Sequence, residues 1–283
     1  MNSTKYLTTD DQLSDYLLSL KERQIKIVAV DLEGEYNLHH YGEHLCLVQI
    51  FDGEYSLLID PQTIGISLIK DFFENPDYQK IFYDCTGDRT LLFRKYGINP
   101  NSIVDLLPAV ELLEFEKKGL SKVLTEVLGL EEKNKKKFQR YNWMRRPIQE
   151  DALVYAIEDV NFLFDLKDKL MESLQKKGLM EEYDRINQEV QSRPISLEFV
   201  PGLFKKNRFK KMSRESQELF RKLFAVRNVY AEKMDLPPNS VVSNENLYQL
   251  SCRQMNPGQI IFSRQVRRES IPSIRDDVKQ VLS

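Results

Sequence analysis

Cysteine, tryptophan and long apolar runs are scarce in this 283-residue sequence, and neither sign of charge dominates it. The three cysteines, Cys46, Cys85 and Cys252, are too far apart to indicate a disulfide framework or a paired zinc site, which favours a reducing cytoplasm. No apolar run approaches the ~18 residues of a membrane helix, and the amino terminus lacks a secretory-signal pattern, so we expect no membrane association. With a net charge of −2, any affinity for nucleic acid has to come from local basic patches.

The apolar pattern predicts an α/β fold with a mixed sheet flanked by helices. Apolar runs at 25–33, 45–51 and 55–60 predict three antiparallel strands, and the Asp-Gly pair between the last two is a hairpin signal. Helices predicted at 66–75 and 88–97 alternate with strands predicted at 80–84 and 102–105. Helical patterns dominate afterwards, including 120–128 between Gly119 and Gly129. Among these is one long helix predicted at 148–174, directly after a proline.

Composition changes late in the chain. Residues 181–211 contain two prolines, a glycine and a basic cluster, and we predict that they form a linker. This places a larger α/β domain at 1–180 and a small all-α domain at 212–283.

Four carboxylates lie where the predicted elements begin or end. Asp31 and Glu33 are two residues apart at the end of a predicted strand, so both point to one face of the sheet. Asp88 opens a predicted helix, and Asp159 follows Tyr155 by one helical turn. Each alone is more simply a helix cap or a solvated charge, and the last pair alone fits an amphipathic helix boundary.

Together, these side chains have the chemistry of a metal site. Crowded carboxylates repel one another, and hard cations such as Mg²⁺ or Mn²⁺ relieve that repulsion. Two such ions, ~4 Å apart, can support hydrolysis of a phosphodiester. A phenol with an ordinary pKa near ~10 is a poor base at neutral pH, so we assign Tyr155 the orientation of the attacking water.

The order of these motifs resembles the ribonuclease D branch of the 3′→5′ exonucleases, whose site is Asp-Glu-Asp-Asp plus a tyrosine. The resemblance rests on residues 28–36 (VAVDLEGEY), 80–98 (KIFYDCTGDRTLLFRKYGI) and 155–163 (YAIEDVNFL). It implies a ribonuclease-H-like fold and a metal-dependent exoribonuclease that releases nucleoside 5′-monophosphates and trims RNA such as tRNA precursors. The residues that it implies are the metal ligands Asp31, Glu33, Asp88 and Asp159, with Tyr155 as the fifth catalytic residue.

Two positions depart from the family pattern or compete with it. Gly34 follows Glu33 where the family usually has a bulky aromatic residue near the terminal nucleotide, so we expect the grip on the substrate end to differ here. Asp84 is a rival to Asp88 as ligand, and the spacing to the leucines that follow favours Asp88.

Residues 133–146 form a basic stretch that is interleaved with aromatic side chains. Basic side chains neutralise phosphates and aromatic faces stack on bases, so this stretch is our candidate RNA-binding segment. Within it Gln139, Arg145 and Arg146 are the predicted substrate-binding residues. The alternative is a solvated loop, with Trp143 filling the core. In either case, we predict that Trp143 is a core residue rather than a stacking platform.

Residues 219–251 resemble the helicase-and-ribonuclease-D C-terminal (HRDC) domain, a small helical bundle that is often a nucleic-acid-binding accessory. A zinc site on His39, His40 and His44 is a weaker alternative, because no cysteine pair supports it.

Two classes of function compete with an exoribonuclease that acts on RNA 3′ ends. The first is another exonuclease, acting on single-stranded DNA or on very short RNAs. The second is a catalytically silent scaffold that binds nucleic acid on the same fold.

Overall fold

The computed structural model describes residues 4–131, 135–197 and 200–283. The chain divides into two compact units. Unit 1 contains Met1–Gly34 and His44–Ile195, and unit 2 contains Glu35–Glu43 and Ser196–Ser283. Within the described ranges, every helix is too short or too polar to cross a bilayer.

Unit 1 is built on a six-stranded mixed sheet with the strand order β1-β4-β3-β2-β5-β6. Strands β3 and β4 are antiparallel, whereas the pairs β1–β4, β2–β5 and β5–β6 are parallel. The predicted mixed sheet is therefore confirmed. The strands are β1 (Thr4–Leu7), β2 (Ile27–Tyr36), β3 (Glu43–Phe51), β4 (Ser56–Ile59), β5 (Gln79–Phe82) and β6 (Ile103–Asp105).

Helices cover both faces of this sheet. Helices α1 to α3 pack on one face through a core that includes Leu13, Phe72 and Leu92. Helices α4, α5 and α7 pack on the other face, where Val110 and Leu166 are buried. The helices of unit 1 are α1 (Asp10–Glu22), α2 (Ile66–Glu74), α3 (Thr86–Tyr96), α4 (Leu107–Leu112), α5 (Leu120–Leu128), α6 (Glu150–Asn161), α7 (Leu163–Lys177) and α8 (Met180–Ser192), with a 3₁₀ helix at Lys135–Arg140.

The prediction of a single helix at 148–174 is wrong. Two helices, α6 and α7, meet at Phe162, whose φ of −103° and ψ of 1° lie outside the helical region. The break lets α6 pack beside β4 while α7 packs against α4 and α5. An apolar periodicity that continues through the break conceals it in the sequence.

Helix α8 overlaps residues 181–211, which were predicted to form a linker. Its Asn187 side chain accepts the N–H of Asp105 at 2.9 Å and donates to the carbonyl of Ile103 at 2.8 Å. One turn later, Gln191 accepts the N–H of Ile103 at 2.7 Å. These amides pair backbone groups of the edge strand β6, and the buried Tyr183 donates to the carbonyl of Asp105. Helix α8 is thus integrated into unit 1.

The carboxyl-terminal part of unit 2 is helical, which confirms the predicted small all-α domain. Its core contains Phe220, Leu247 and Ile274. The buried guanidinium of Arg227 donates to Asn244 Oδ1 at 2.7 Å. The helices are α9 (Gly202–Lys205), α10 (Asn207–Lys210), α11 (Arg214–Met234), α12 (Pro238–Val241), α13 (Asn244–Ser251) and α14 (Ser270–Leu282), with a 3₁₀ helix at Pro257–Gln259.

Candidate metal centre and active site

Strand β2 carries two of the predicted carboxylates on the sheet face that helices α4, α5 and α7 cover. Val30 and Leu32 point into the core beneath α1 to α3, whereas Ala29 points into the opposite core. Side chains alternate along a strand, so Asp31 and Glu33 continue the face of Ala29. Both carboxylates are partly buried where this face becomes polar.

Helix α6 brings a third carboxylate to the same place. One oxygen each from Asp31, Glu33 and Asp159 lie within 4.8 Å of one another, a spacing suited to metal ligands. Asp159 is 6% exposed, so little water screens its repulsion with the other two. Three oxygen donors of this kind fit a hard divalent cation such as Mg²⁺ or Mn²⁺.

The Tyr155 side chain contacts this cluster of three carboxylates. Its phenol is hydrogen-bonded to the carboxylate of Asp159, one turn further along α6. Burial, and then the negative charges of Asp159 and Glu33, raise the pKa of Tyr155. The phenol therefore stays protonated at neutral pH, where it can donate a hydrogen bond but cannot act as a base.

Aromatic residues hold the Tyr155 ring. Phe138 stacks on it with the ring centroids 4.8 Å apart, and the Trp143 ring lies 6.2 Å away. Trp143 is 4% exposed and belongs to the core cluster beside α6. The prediction that Trp143 is a core residue is confirmed.

Asp88 lies outside the group formed by Asp31, Glu33 and Asp159. Burial, and then the charges of Asp84 and Asp105, raise the pKa of Asp88 to about 7. Its role as a metal ligand stays a prediction.

Asp105, at the end of β6, was not among the site residues predicted from the sequence. Its carboxylate accepts the N–H groups of Asp84 and Cys85 at 2.8 and 3.0 Å. These contacts fix the turn that starts α3, where Asp84 has a φ of 60°. The sequence did contain a signal for it, because Asp105 ends a predicted strand, as Asp31 and Glu33 do.

Arg146 is committed to protein acceptors. Its Nε and one Nη2 hydrogen bind Asp60 at 2.6 and 2.7 Å, and Nη2 also donates to the carbonyl of Cys46 at 2.7 Å. Its Nη1 donates to the carbonyls of Trp143 and Arg145 at 2.7 and 3.0 Å. All five N–H groups are used, so this arrangement favours a structural role over the predicted phosphate contact.

The other predicted substrate-binding residues are exposed. Gln139 lies on the 3₁₀ helix, and Arg145 directly precedes Arg146. Their contact with RNA stays a prediction. Lys133, in the same basic stretch, is outside the described residues.

The turn at Glu35–Glu43 belongs to unit 2. The carboxylate of Glu35 is buried and accepts the N–H of His39 at 3.0 Å as well as that of Leu38. His40 Nδ1 lies 2.8 Å from Asp235. Within the described residues, the group with metal-ligand spacing consists of carboxylates and includes no histidine.

The sequence of this chain is similar to parts of known proteins. The chain is 27% identical to the exosome complex exonuclease RRP6 of Saccharomyces cerevisiae over 86% of its length, which covers 35% of that protein. It is 28% identical to a ribonuclease D of Sphingobium indicum over 78% of its length, or 57% of that protein. The chain thus spans between a third and three fifths of these relatives.

A solved structure confirms the ribonuclease-H-like exonuclease fold. Escherichia coli RNase D, an exoribonuclease involved in structured RNA processing, superposes with a TM-score of 0.73 at 23% identity. The match covers all of this chain and 76% of that one. A sequence model of the 3′-5′ exonuclease family matches residues 4–175, which is more than half of the chain. The chain belongs to the 3′-5′ exonuclease family.

Proposed function

We propose that this protein is a divalent-metal-dependent 3′→5′ exoribonuclease that releases nucleoside 5′-monophosphates. The observation that carries the proposal is the convergence of Asp31, Glu33 and Asp159, with the phenol of Tyr155 bonded to the group. Family membership supports the reaction type, and the names of the relatives support RNA as substrate.

In this proposal, Asp31, Glu33, Asp88 and Asp159 would hold two Mg²⁺ or Mn²⁺ ions, which when bound would supply charge stabilisation at the scissile phosphate and a nucleophile at neutral pH. Tyr155 remains protonated and orients the attacking water through its hydroxyl group. The stacked ring of Phe138 limits rotation of the phenol, so this orientation is set before substrate binds.

The substrate that we propose is the 3′ end of a structured RNA such as a tRNA precursor. Residues 196–283 contain 16 Lys or Arg against nine Asp or Glu, a local excess of positive charge that suits a polyanion. We propose an HRDC-like accessory role for this part of the chain, and exposed contacts with RNA for Gln139 and Arg145. A cytoplasmic location belongs to the same proposal and is supported by the wide spacing and odd number of the cysteines, which do not suit a disulfide framework.

The test compares 5′-labelled RNA and DNA of equal sequence, digested with Mg²⁺ or Mn²⁺. We expect stepwise shortening of RNA from its 3′ end, and loss of that activity in Asp31→Asn. The matched control is Glu54→Gln, because Glu54 is an exposed carboxylate that pairs with Arg23. Faster digestion of DNA would favour the deoxyribonuclease alternative, and RNA binding without digestion would favour the silent scaffold.

A further inference from the structure

A partly buried ion pair between Arg146 and Asp60 joins the loop before α6 to the sheet. Asp60 follows β4 directly and is 2% exposed. Besides the two N–H groups of Arg146, it accepts the hydroxyl of Tyr6 at 2.7 Å and the N–H of Gln62 at 3.0 Å. Burial alone raises the pKa of Asp60, but the bonds from Arg146 and Tyr6 outweigh it and lower the pKa. The carboxylate therefore stays charged and bonded to the guanidinium.

The guanidinium of this ion pair also connects the backbone of the loop to the backbone of the sheet. The Arg146 guanidinium spans the carbonyl of Trp143 in the loop and the carbonyl of Cys46 in β3. Only a planar fork of five donors can satisfy a carboxylate and three carbonyls together, and a lysine has three donors at one point. The position of the Trp143 backbone on the sheet thus depends on Arg146.

The same loop carries Tyr141 and Trp143, and the Trp143 ring packs near the Tyr155 ring. The ring of Trp143 lies 4.9 Å from that of Tyr141 and 6.2 Å from that of Tyr155. The hydroxyl of Tyr141 accepts the N–H of Gln149, the residue before α6. A shift of the loop on the sheet would therefore move the support of the phenol and the start of its helix.

We propose that Arg146 is a positioning residue. It holds Trp143 on the sheet, so that the phenol of Tyr155 points at the cluster of carboxylates formed by Asp31, Glu33 and Asp159. The inference rests on the proposed function for the role of Tyr155. It replaces the phosphate contact that the sequence suggested for Arg146. A misplacement of about 1 Å at a reacting group can cost about 100-fold in rate, so the effect belongs in kcat rather than in KM.

Two variants test the inference. Arg146→Lys keeps the positive charge but loses the fork. The double variant Asp60→Asn/Arg146→Gln removes both charges, so that no unpaired charge is left buried and folding is preserved. Trp143 is the only tryptophan of the chain, so intrinsic fluorescence reports on this loop alone. We expect a red shift of its emission in both variants, a 10- to 100-fold fall of kcat on labelled RNA, and a KM changed less than about twofold.

The chain offers a matched control in Asp52. Its carboxylate is 4% exposed and accepts Arg23 at 2.6 Å, Tyr16 at 3.3 Å and the N–H of Tyr55 at 2.7 Å, so the network has the same composition. Asp52→Asn should lower the Tm without changing Trp143 emission or kcat.

Two outcomes overturn the inference. If the variants keep the wild-type emission, Arg146 does not hold the loop, whatever the activity. If KM rises while kcat is unchanged, Arg146 contacts the substrate directly. Absence of RNA digestion by the wild-type protein refutes the proposed function instead, and leaves the emission comparison as the test of the loop.

Discussion

Replacing Tyr155 with phenylalanine removes one oxygen from the candidate site and keeps its aromatic surroundings. The ring that stacks on Phe138 at 4.8 Å is retained, and so are the carboxylates of Asp31, Glu33 and Asp159. The variant therefore separates the hydroxyl group from metal binding and from packing. Since the phenol is a hydrogen-bond donor whose pKa is raised, what is lost is orientation and not a base.

The expected effects on stability and rate differ in size. A hydrogen bond to a charged group contributes about 1.5–3 kcal/mol, and the desolvated hydroxyl offsets part of this, so the free energy of unfolding should fall by less than about 3 kcal/mol. A misplacement of a reacting group by about 1 Å can cost about 100-fold in rate. We therefore expect kcat of Tyr155→Phe to fall at least about 100-fold with little change in KM.

The assay measures kcat and KM on end-labelled RNA with Mn²⁺, together with calorimetric titration of Mn²⁺ in the absence of RNA. Tyr16→Phe is the matched control, because Tyr16 is a buried phenol that donates to the Asp52 carboxylate at 3.3 Å on another part of the sheet. It should keep its activity. A Tyr155→Phe protein with more than a third of the wild-type kcat, or one that no longer binds Mn²⁺, would refute the reasoning.

Mn²⁺ at about 100 times its Kd should stabilise the protein by about 2.7 kcal/mol and Asp31→Asn should lose most of this shift; an unshifted wild-type Tm contradicts the metal site. Burial lowers the pKa of Lys80 from 10.5 to about 8, so the unfolded chain binds more protons between these values. The free energy of unfolding in urea should therefore rise from pH 8 to pH 10. The rise should be smaller in Lys80→Met, and equal to that of the wild-type protein in Lys70→Met, the control at an exposed site. A fragment of residues 1–195 should unfold cooperatively and one of residues 1–180 should be much less stable, because it exposes the edge of the sheet; equal Tm values would show that α8 contributes nothing.

The amino-acid pattern was sufficient to predict those strands and helices that are determined by neighbouring residues in the sequence. Strands β2 to β6 and helices such as α5 follow from apolar periodicity and from glycines at their ends, and the structure confirms them. Strand β1 was missed because four residues carry too little periodicity. Helix α8 was missed for a different reason: its polar residues face backbone groups of β6, so a buried contact looks like a solvated surface.

The site shows the same division. Alternation along a strand places Asp31 and Glu33 on one face, and helical spacing relates Tyr155 to Asp159. Whether a basic side chain faces solvent or a buried carboxylate is a long-range property, and the sequence does not contain it in readable form. Arg146 and its neighbour Arg145 therefore looked equivalent, although one is enclosed by five acceptors and the other is exposed.

The pairing of Asn187 and Gln191 with β6 has a consequence for how this chain can change. A helix turns by about 100° per residue, so one residue inserted between the two amides would swing the second away from Ile103 and leave a strand rim with unmet donors and acceptors. Such a rim attracts strands from other chains. The four-residue interval between Asn187 and Gln191 therefore keeps the backbone groups of β6 paired.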